Sequence, residues 1–303
     1  HTGYIKSQPL ADYRAQRRGG RGKQAAAIKE DDFVDHLFVA NTHDYILCFS
    51  NRGRVYWIKV YEVPQGSRNS RGKPIVNMFP LEEGEKINAI LPVKEFAQDR
   101  FIFMATSQGT VKKTPLSEFS NPRKAGIIAV ALDEGDYLIG AEITNGENDI
   151  VLVSDGGRAV WFDEEDVRPM GRPARGVRGM KLGKEQTVLS LLVAENDQQT
   201  VLVATENGFG KRTALADFRH SGRGTQGVMA IKASDRNGKV VGAKLVTDED
   251  EIMLITTGGV LIRTRVSEIR ELGRATQGVT LISLDDGEKL AGLEKIVETD
   301  DEE

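Results

Sequence analysis

The sequence predicts an all-β, propeller-like ring of six four-stranded blades, with about 50 residues to each. Three observations predict it. A glycine closes an apolar run at Gly53, Gly109, Gly157, Gly208 and Gly259, at steps of 56, 48, 51 and 51 residues. Gly3, 50 residues before Gly53, fits as the first of six. A second glycine follows each first one, at Gly22, Gly72, Gly126, Gly176, Gly227 and Gly278, 19 residues on in five cases and 17 in one. Finally, six such units account for the 303 residues and leave only a short tail.

Each unit reads as strands in a fixed order. An apolar strand comes first, then a Ser/Thr-x-x-Gly turn, then an alternating strand: YILCFS-NRG-RVYWIKV, FIFMAT-SQG-TVKKT, DIVLVS-DGG-RAVWF, TVLVAT-ENG-FGKRT and EIMLIT-TGG-VLIRT. β-Branched and aromatic runs around such turns are a strong local hairpin signal. The first glycine of each pair supplies the positive φ that the turn needs, so it marks fold and not chemistry. A polar connection then leads to the second glycine. Another strand, a tight turn (LEEGE, LDEGD, LDDGE) and a last strand complete the unit.

Composition narrows the functional classes. With 39% hydrophobic and 28% charged residues the chain has the makeup of a folded protein. It has no run of about 18 apolar residues to span a membrane, and its start lacks the basic-then-apolar pattern of a signal segment. The lone Cys48 cannot form an internal disulfide, which fits a reducing cytosol. A start at His1 rather than Met points to a piece of a longer protein. His1, His36, His43 and His220 form no metal-ligand spacing with Cys48, so no metal site is expected. The acidic run DEDE at 248–251 reads as a solvated turn between units, and Trp57 and Trp161 read as blade packing. No nucleophile–base constellation stands out, and the chain is expected not to be an enzyme.

The charge distribution is the functional signal. The formal net charge is -4, from 41 Lys+Arg against 45 Asp+Glu. Yet the eight residues before each second glycine together carry +13, and the rest of the chain carries -17. Arg18, Arg68, Arg172, Arg223 and Arg274 all lie four residues before their second glycine, and Arg123 and Lys124 take that role in the shorter unit. Arg71, Lys73, Arg175, Arg219 and Arg270 extend the clusters. Equivalent loops of a blade ring lie at one level, so these residues are expected to form a basic track on an otherwise acidic body. Such a track suits double-stranded DNA. Few aromatics accompany it, which argues against single-strand stacking, and few Asn or Gln, which favours phosphate contact and bending over base readout.

The first loop is the densest: Gln16, Arg17, Arg18, Gly19, Gly20, Arg21 and Gly22, followed by Lys23. Its glycines allow close backbone approach to phosphate, and its arginines can bind phosphate oxygens in pairs. It is not a Walker loop, because Arg17 stands where glycine is required and Gln24 replaces Ser/Thr; GFGKRT at 208–213 fails likewise at Thr205. QRRGGRG resembles the seven-residue box that marks the C-terminal domain of DNA gyrase A. The flanking ADYRAQ and IKEDDFVDHLFVANTHDYILCFSNRGRVY are similar to that family as well. The resemblance spans residues 3–297, and the box matches without departure.

That resemblance implies a six-bladed β-pinwheel, with strands exchanged between neighbouring blades, that bends duplex DNA around its rim. It implies that the box at 16–22 gives the wrap the handedness needed for negative supercoiling. It further implies double-stranded DNA, the N-terminal region of gyrase A, and gyrase B as partners, the two proteins forming an A2B2 holoenzyme. The domain itself would be monomeric and away from the membrane, in the bacterial cytoplasm at the nucleoid. No cofactor is expected here: ATP and Mg belong to the rest of the holoenzyme, and the family's catalytic tyrosine lies upstream. Residues 1–297 form the expected DNA-wrapping domain, and ETDDEE at 298–303 the start of an acidic tail, either solubilising or competing with DNA for the rim. Two other readings stand beside this one. A topoisomerase IV-type domain would have fewer blades and a degraded box. A protein-binding propeller would present varied, aromatic-rich loops.

Overall fold

The computed structural model describes residues 4–7, 40–66, 72–196, 198–218 and 221–296. The first unit contributes β1 (Tyr4–Ile5). The second gives β2 (Tyr45–Ser50), β3 (Arg54–Lys59), β4 (Lys73–Pro74) and β5 (Ile87–Val93). The third gives β6 (Phe101–Thr106), β7 (Thr110–Pro115), β8 (Ile127–Ile128) and β9 (Leu138–Thr144). The fourth gives β10 (Asp149–Ser154), β11 (Arg158–Asp163), β12 (Val177–Arg178) and β13 (Val188–Ala194). The fifth gives β14 (Thr200–Thr205), β15 (Phe209–Ala214), β16 (Val228–Met229) and β17 (Val240–Val246). The sixth gives β18 (Glu251–Thr256), β19 (Leu261–Arg265), β20 (Val279–Thr280) and β21 (Leu290–Ile296).

The four strands of a blade are not the four strands of a unit. The sheets run β5-β2-β3-β8, β9-β6-β7-β12, β13-β10-β11-β16 and β17-β14-β15-β20, followed by the three-stranded β21-β18-β19. Each unit keeps its first, second and last strands and lends its short third strand to the blade before it. One register serves every exchange. The residue after the hairpin glycine faces the second residue after the next unit's loop glycine: Arg54 with Ile128, Thr110 with Arg178, Arg158 with Met229 and Phe209 with Thr280. The ladder β1–β4 repeats it, with Tyr4 facing Pro74. The described residues thus build five blades of a propeller, where the sequence reading expects six. Residues 8–39, which hold the rest of the first unit, lie outside the described residues.

Period two in the first strand of each unit explains the stacking. Such a strand is buried on both faces and therefore reads as a continuous apolar run. Ile102 and Met104 of β6 pack toward the second unit's blade, and Phe103 and Ala105 toward the fourth's. β10 divides in the same way, with Ile150 and Leu152 on one side and Val151 and Val153 on the other. Blades therefore pack face to face through shared seams. The last strands of the units succeed one another as β5, β9, β13, β17 and β21 on the inside of the array. The borrowed strands β8, β12, β16 and β20 form its outer edge.

The seams explain the second glycines. Gly227 has φ +72°, and a Cβ there would lie 2.1 Å from the carbonyl oxygen of Ala159 on the preceding unit's β11. Both the left-handed backbone and the close approach exclude a side chain. Gly227→Ala is expected to cost about 2–4 kcal/mol of folding stability, read as a lowered Tm. An unchanged Tm would mean that the borrowed strand is not held where the register puts it.

Candidate nucleic-acid interface

Each polar connection lies between the second and third strands of its unit, so it must cross to the outer edge of the preceding blade. The basic loops at 118–126, 168–176, 221–227 and 270–278 therefore end at equivalent points, each entering the outermost strand. Their shared edge follows from strand exchange. The tight turns carrying Glu82, Glu83, Asp133, Glu134, Asp285 and Asp286 lie at the hairpin end of the blades, where the basic loops also arrive, and are exposed.

Among the described residues, Lys73, Arg123, Lys124, Arg175, Arg223 and Arg270 are exposed, and Arg172 and Arg274 are half-buried. Gln16, Arg17, Arg18, Gly19, Gly20, Arg21, Gly22, Lys23, Arg68, Arg71 and Arg219 lie outside the described residues. Successive loops touch. Arg223 Nη1 donates to the carbonyl of Arg178 at 2.9 Å, and Arg274 Nη1 makes the equivalent bond to Met229 at 3.0 Å. Lys181 N donates to Thr225 O at 2.8 Å and Lys232 N to Thr276 O at 3.0 Å. The loops at 221–227 and 270–278 therefore each rest against the segment leaving the previous one, which joins three successive clusters into a track. Arg175 forms an exposed ion pair with Asp133, a contact of small energetic worth.

The loops are also held from beneath. Four residues after the hairpin glycine, Trp57 Nε1 donates to Phe119 O at 2.8 Å, Lys113 Nζ to Glu164 O at 3.0 Å and Arg212 Nε to Ile269 O at 2.9 Å. Each grips the start of the following unit's connection. Trp161, at the same place, bonds through its backbone to Ser221, and its ring packs in the seam between two blades. Blade packing is thus the role of both tryptophans. One residue earlier in β7 and β15 stand Lys112 and Lys211, both fully buried. Lys112 Nζ donates to Ala129 O at 2.8 Å and Arg172 O at 2.5 Å. Lys211 Nζ donates to Gly273 O, Arg274 O and Thr276 O at 2.6, 2.7 and 2.9 Å. Burial lowers each from the usual lysine value of 10.5 to about 8; Arg172 and Arg274 push the same way, and Glu118 opposes at Lys112.

Sequence reasoning missed several basic residues of this edge. Arg178, Lys181 and Lys232 are exposed and follow the second glycine, beyond the eight-residue window that precedes it. Arg54 and Arg158 brace the loops through Ala125 O, Gln226 O and Gly227 O. Lys112 and Lys211 had a signal: VKKT and GKRT place two bases where the second, fourth and sixth units have Tyr-Trp, Val-Trp and Ile-Arg. The acidic run at 248–251 is a turn in the structure as in the sequence reading. Asp248 pairs with Arg212 and Asp250 with Lys295, so the acidic run is a turn held by bases. His43 stacks edge-on against exposed Tyr61. Among the described residues no helix is long and apolar enough to cross a membrane.

Comparison with known proteins gives a consistent picture. The family described as DNA gyrase C-terminal domain, beta-propeller, matches six times, at residues 1–41, 44–94, 100–145, 148–195, 199–247 and 250–296. The chain is 57% identical over 304 residues to the DNA gyrase A protein of Klebsiella oxytoca and 55% identical over 303 residues to that of Escherichia coli K12. All of this chain is covered in both cases, but only 35% and 34% of those proteins, so it spans about a third of their length. A solved C-terminal domain of DNA topoisomerase IV superposes with a TM-score of 0.87 at 28% identity, covering 97% of this chain and 90% of that one. A solved DNA gyrase A C-terminal domain does so with a TM-score of 0.73 at 28% identity, covering 98% and 97%.

Proposed function

The chain belongs to the DNA gyrase C-terminal domain family, and from that premise we propose that it is the non-catalytic, DNA-wrapping domain of a gyrase A protein. Residues 1–297 form a six-bladed β-pinwheel in this reading. Six separate family matches support that count, as does the β1–β4 ladder, which repeats the exchange register of the other blades. Duplex DNA lies along the outer edge and is bent by it. The observation that carries the proposal is the run of equivalent basic loops at the borrowed strands, three of them joined in succession by hydrogen bonds. Spaced cations along a curved edge match spaced phosphates on a duplex and have little use for base identity.

The energetics are feasible. Bending DNA through half a turn over about 35 bp costs on the order of 10–15 kcal/mol for a persistence length of about 150 bp. Neutralising about 10 phosphates gives a log K against log salt slope near -9 and supplies a term of that size at low salt. The box at 16–22 pins one end of the wrap and sets its hand. Cleavage and ATP use belong to the N-terminal region of gyrase A and to gyrase B in an A2B2 enzyme, in the bacterial cytoplasm at the nucleoid, and this domain carries no cofactor. The stretch at 298–303 begins an acidic tail.

Wrapping is tested by closing nicked circles with ligase in the presence of the domain. The expected result is a shift in linking number that grows with protein concentration. Binding without a shift would remove the wrapping claim and leave a straight contact. The fold likeness to the topoisomerase IV domain supports the alternative reading. Supercoiling by the reconstituted enzyme separates the two.

A further inference from the structure

Lys112 and Lys211 occupy the same place, three residues after the hairpin glycine in alternate blades, where the second, fourth and sixth units have Tyr56, Val160 and Ile262. Neither ammonium is paired with a carboxylate among the described residues. Their acceptors are main-chain oxygens, and those belong to the rim. Lys211 takes three carbonyls and the Thr276 hydroxyl, at 3.0 Å, from the sixth unit's loop. Lys112 joins the exit of one loop, at Ala129, to the arginine of the next, at Arg172. A buried, unneutralised ammonium is expensive to keep. An apolar residue at that place would avoid the cost, as Val160 does. What the ammonium adds is a loop whose carbonyls turn inward and a positive charge directly beneath it.

We propose that Lys112 and Lys211 are positioning residues of the DNA interface, each holding the following unit's arginine loop by its carbonyls in the shape that receives a phosphate strand. The proposal rests on the DNA-wrapping reading above. It carries a linkage that exposed lysines cannot produce. An exposed lysine is fully protonated near pH 8 and has no proton to gain. The two buried lysines titrate there, because desolvation lowers both to about 8. Phosphates laid over them favour the ammonium form, so the complex binds more protons than the free domain. Duplex affinity therefore falls as pH rises through about 8. Folding stability moves the other way. Between about 8 and 10.5 the folded chain has released protons that the unfolded chain retains, so stability rises with pH. The charged groups around Lys112 are Glu118 and Arg172, with Arg178 on β12. Around Lys211 it is Arg274 of the loop it holds.

The test is calorimetry of the domain with a duplex long enough to span the rim, at pH about 8, in two buffers of different ionisation heat. Uptake of about one proton in total is expected, half from each lysine, and it should vanish near pH 6 where both are already charged. Lys112→Met and Lys211→Met should each remove about half of the uptake. Each should also weaken binding roughly three- to ten-fold through loss of loop order. A wild-type domain that binds without uptake would overturn the proposal, as would unchanged uptake in both variants. If a variant does not fold, the opposed pH trends of affinity and Tm in the wild-type protein decide; parallel trends overturn it. A wild-type domain that does not bind duplex DNA would instead sink the wrapping reading itself.

Discussion

Replacing Arg17, Arg18 and Arg21 by alanine in the full-length gyrase A protein, assembled with its ATPase partner, is expected to abolish negative supercoiling and leave relaxation intact. The reason is geometric. Relaxation needs only a cut and a passage, whichever crossing presents itself. Directional supercoiling needs every passage to use a crossing of one sign, which requires the wrapped duplex to leave the rim along a defined path. On the proposed wrapping function the remaining rim loops still hold DNA, but without an anchor at the arginine-dense first loop the path would have no preferred hand. The check is a gel assay of both activities on one plasmid. Equal loss of the two would show that the box serves catalysis or folding rather than the hand of the wrap.

The second large effect concerns the rim itself. Arg123, Arg223 and Arg270 are exposed and belong to three different loops. Each phosphate contact contributes about 0.9 to the salt slope, worth roughly eight-fold in affinity at about 0.1 M salt. The triple alanine variant is therefore expected to bind duplex DNA on the order of several hundred-fold more weakly, with a slope smaller by about 3. Arg52 and Arg100 provide the control. They are exposed too, but neither belongs to a basic loop: Arg52 sits in a hairpin turn paired with Glu82, and Arg100 just before β6 paired with Asp99. Their removal changes net charge by two and should leave the slope in place. A slope insensitive to the rim triple but sensitive to this pair would move the interface to the blade ends.

Gly227→Ala tests the seam that underlies both effects, because the basic loop and the borrowed strand share that glycine. Its expected loss is of stability, whereas the rim triple should leave Tm close to the parent value. The two variants thus separate the frame from the charges it carries.

Much of this was legible in order along the chain. Hairpins are local, so YILCFS-NRG-RVYWIKV and its relatives announced them through period two and a turn glycine. The repeat multiplied that signal, and the clustering of arginine before each second glycine needed only counting. The same reading placed four strands in each blade, and four are found in four of the five described ones. What composition and spacing did not reveal is which four. Pairing of Arg54 with Ile128 spans 74 residues, and nothing in a two-residue strand such as Ile127–Ile128 says whose edge it joins. The role of Lys112 and Lys211 was hidden for a similar reason. A lysine in an alternating strand normally faces water, and only the following unit's loop, folded over it, turns it into a buried clasp.

The amino-acid order by itself therefore determined the all-β repeat, the strand pattern within each unit and the identity of the basic loops, because each depends on contacts among near neighbours. Only the tertiary structure decided that the third strand is lent backward, that the loops consequently share an outer edge and touch, and that two lysines lie beneath them. Those facts depend on which distant surfaces bury each other. Many partners would satisfy a short strand's hydrogen bonds equally well, and the packing of whole blades selects one.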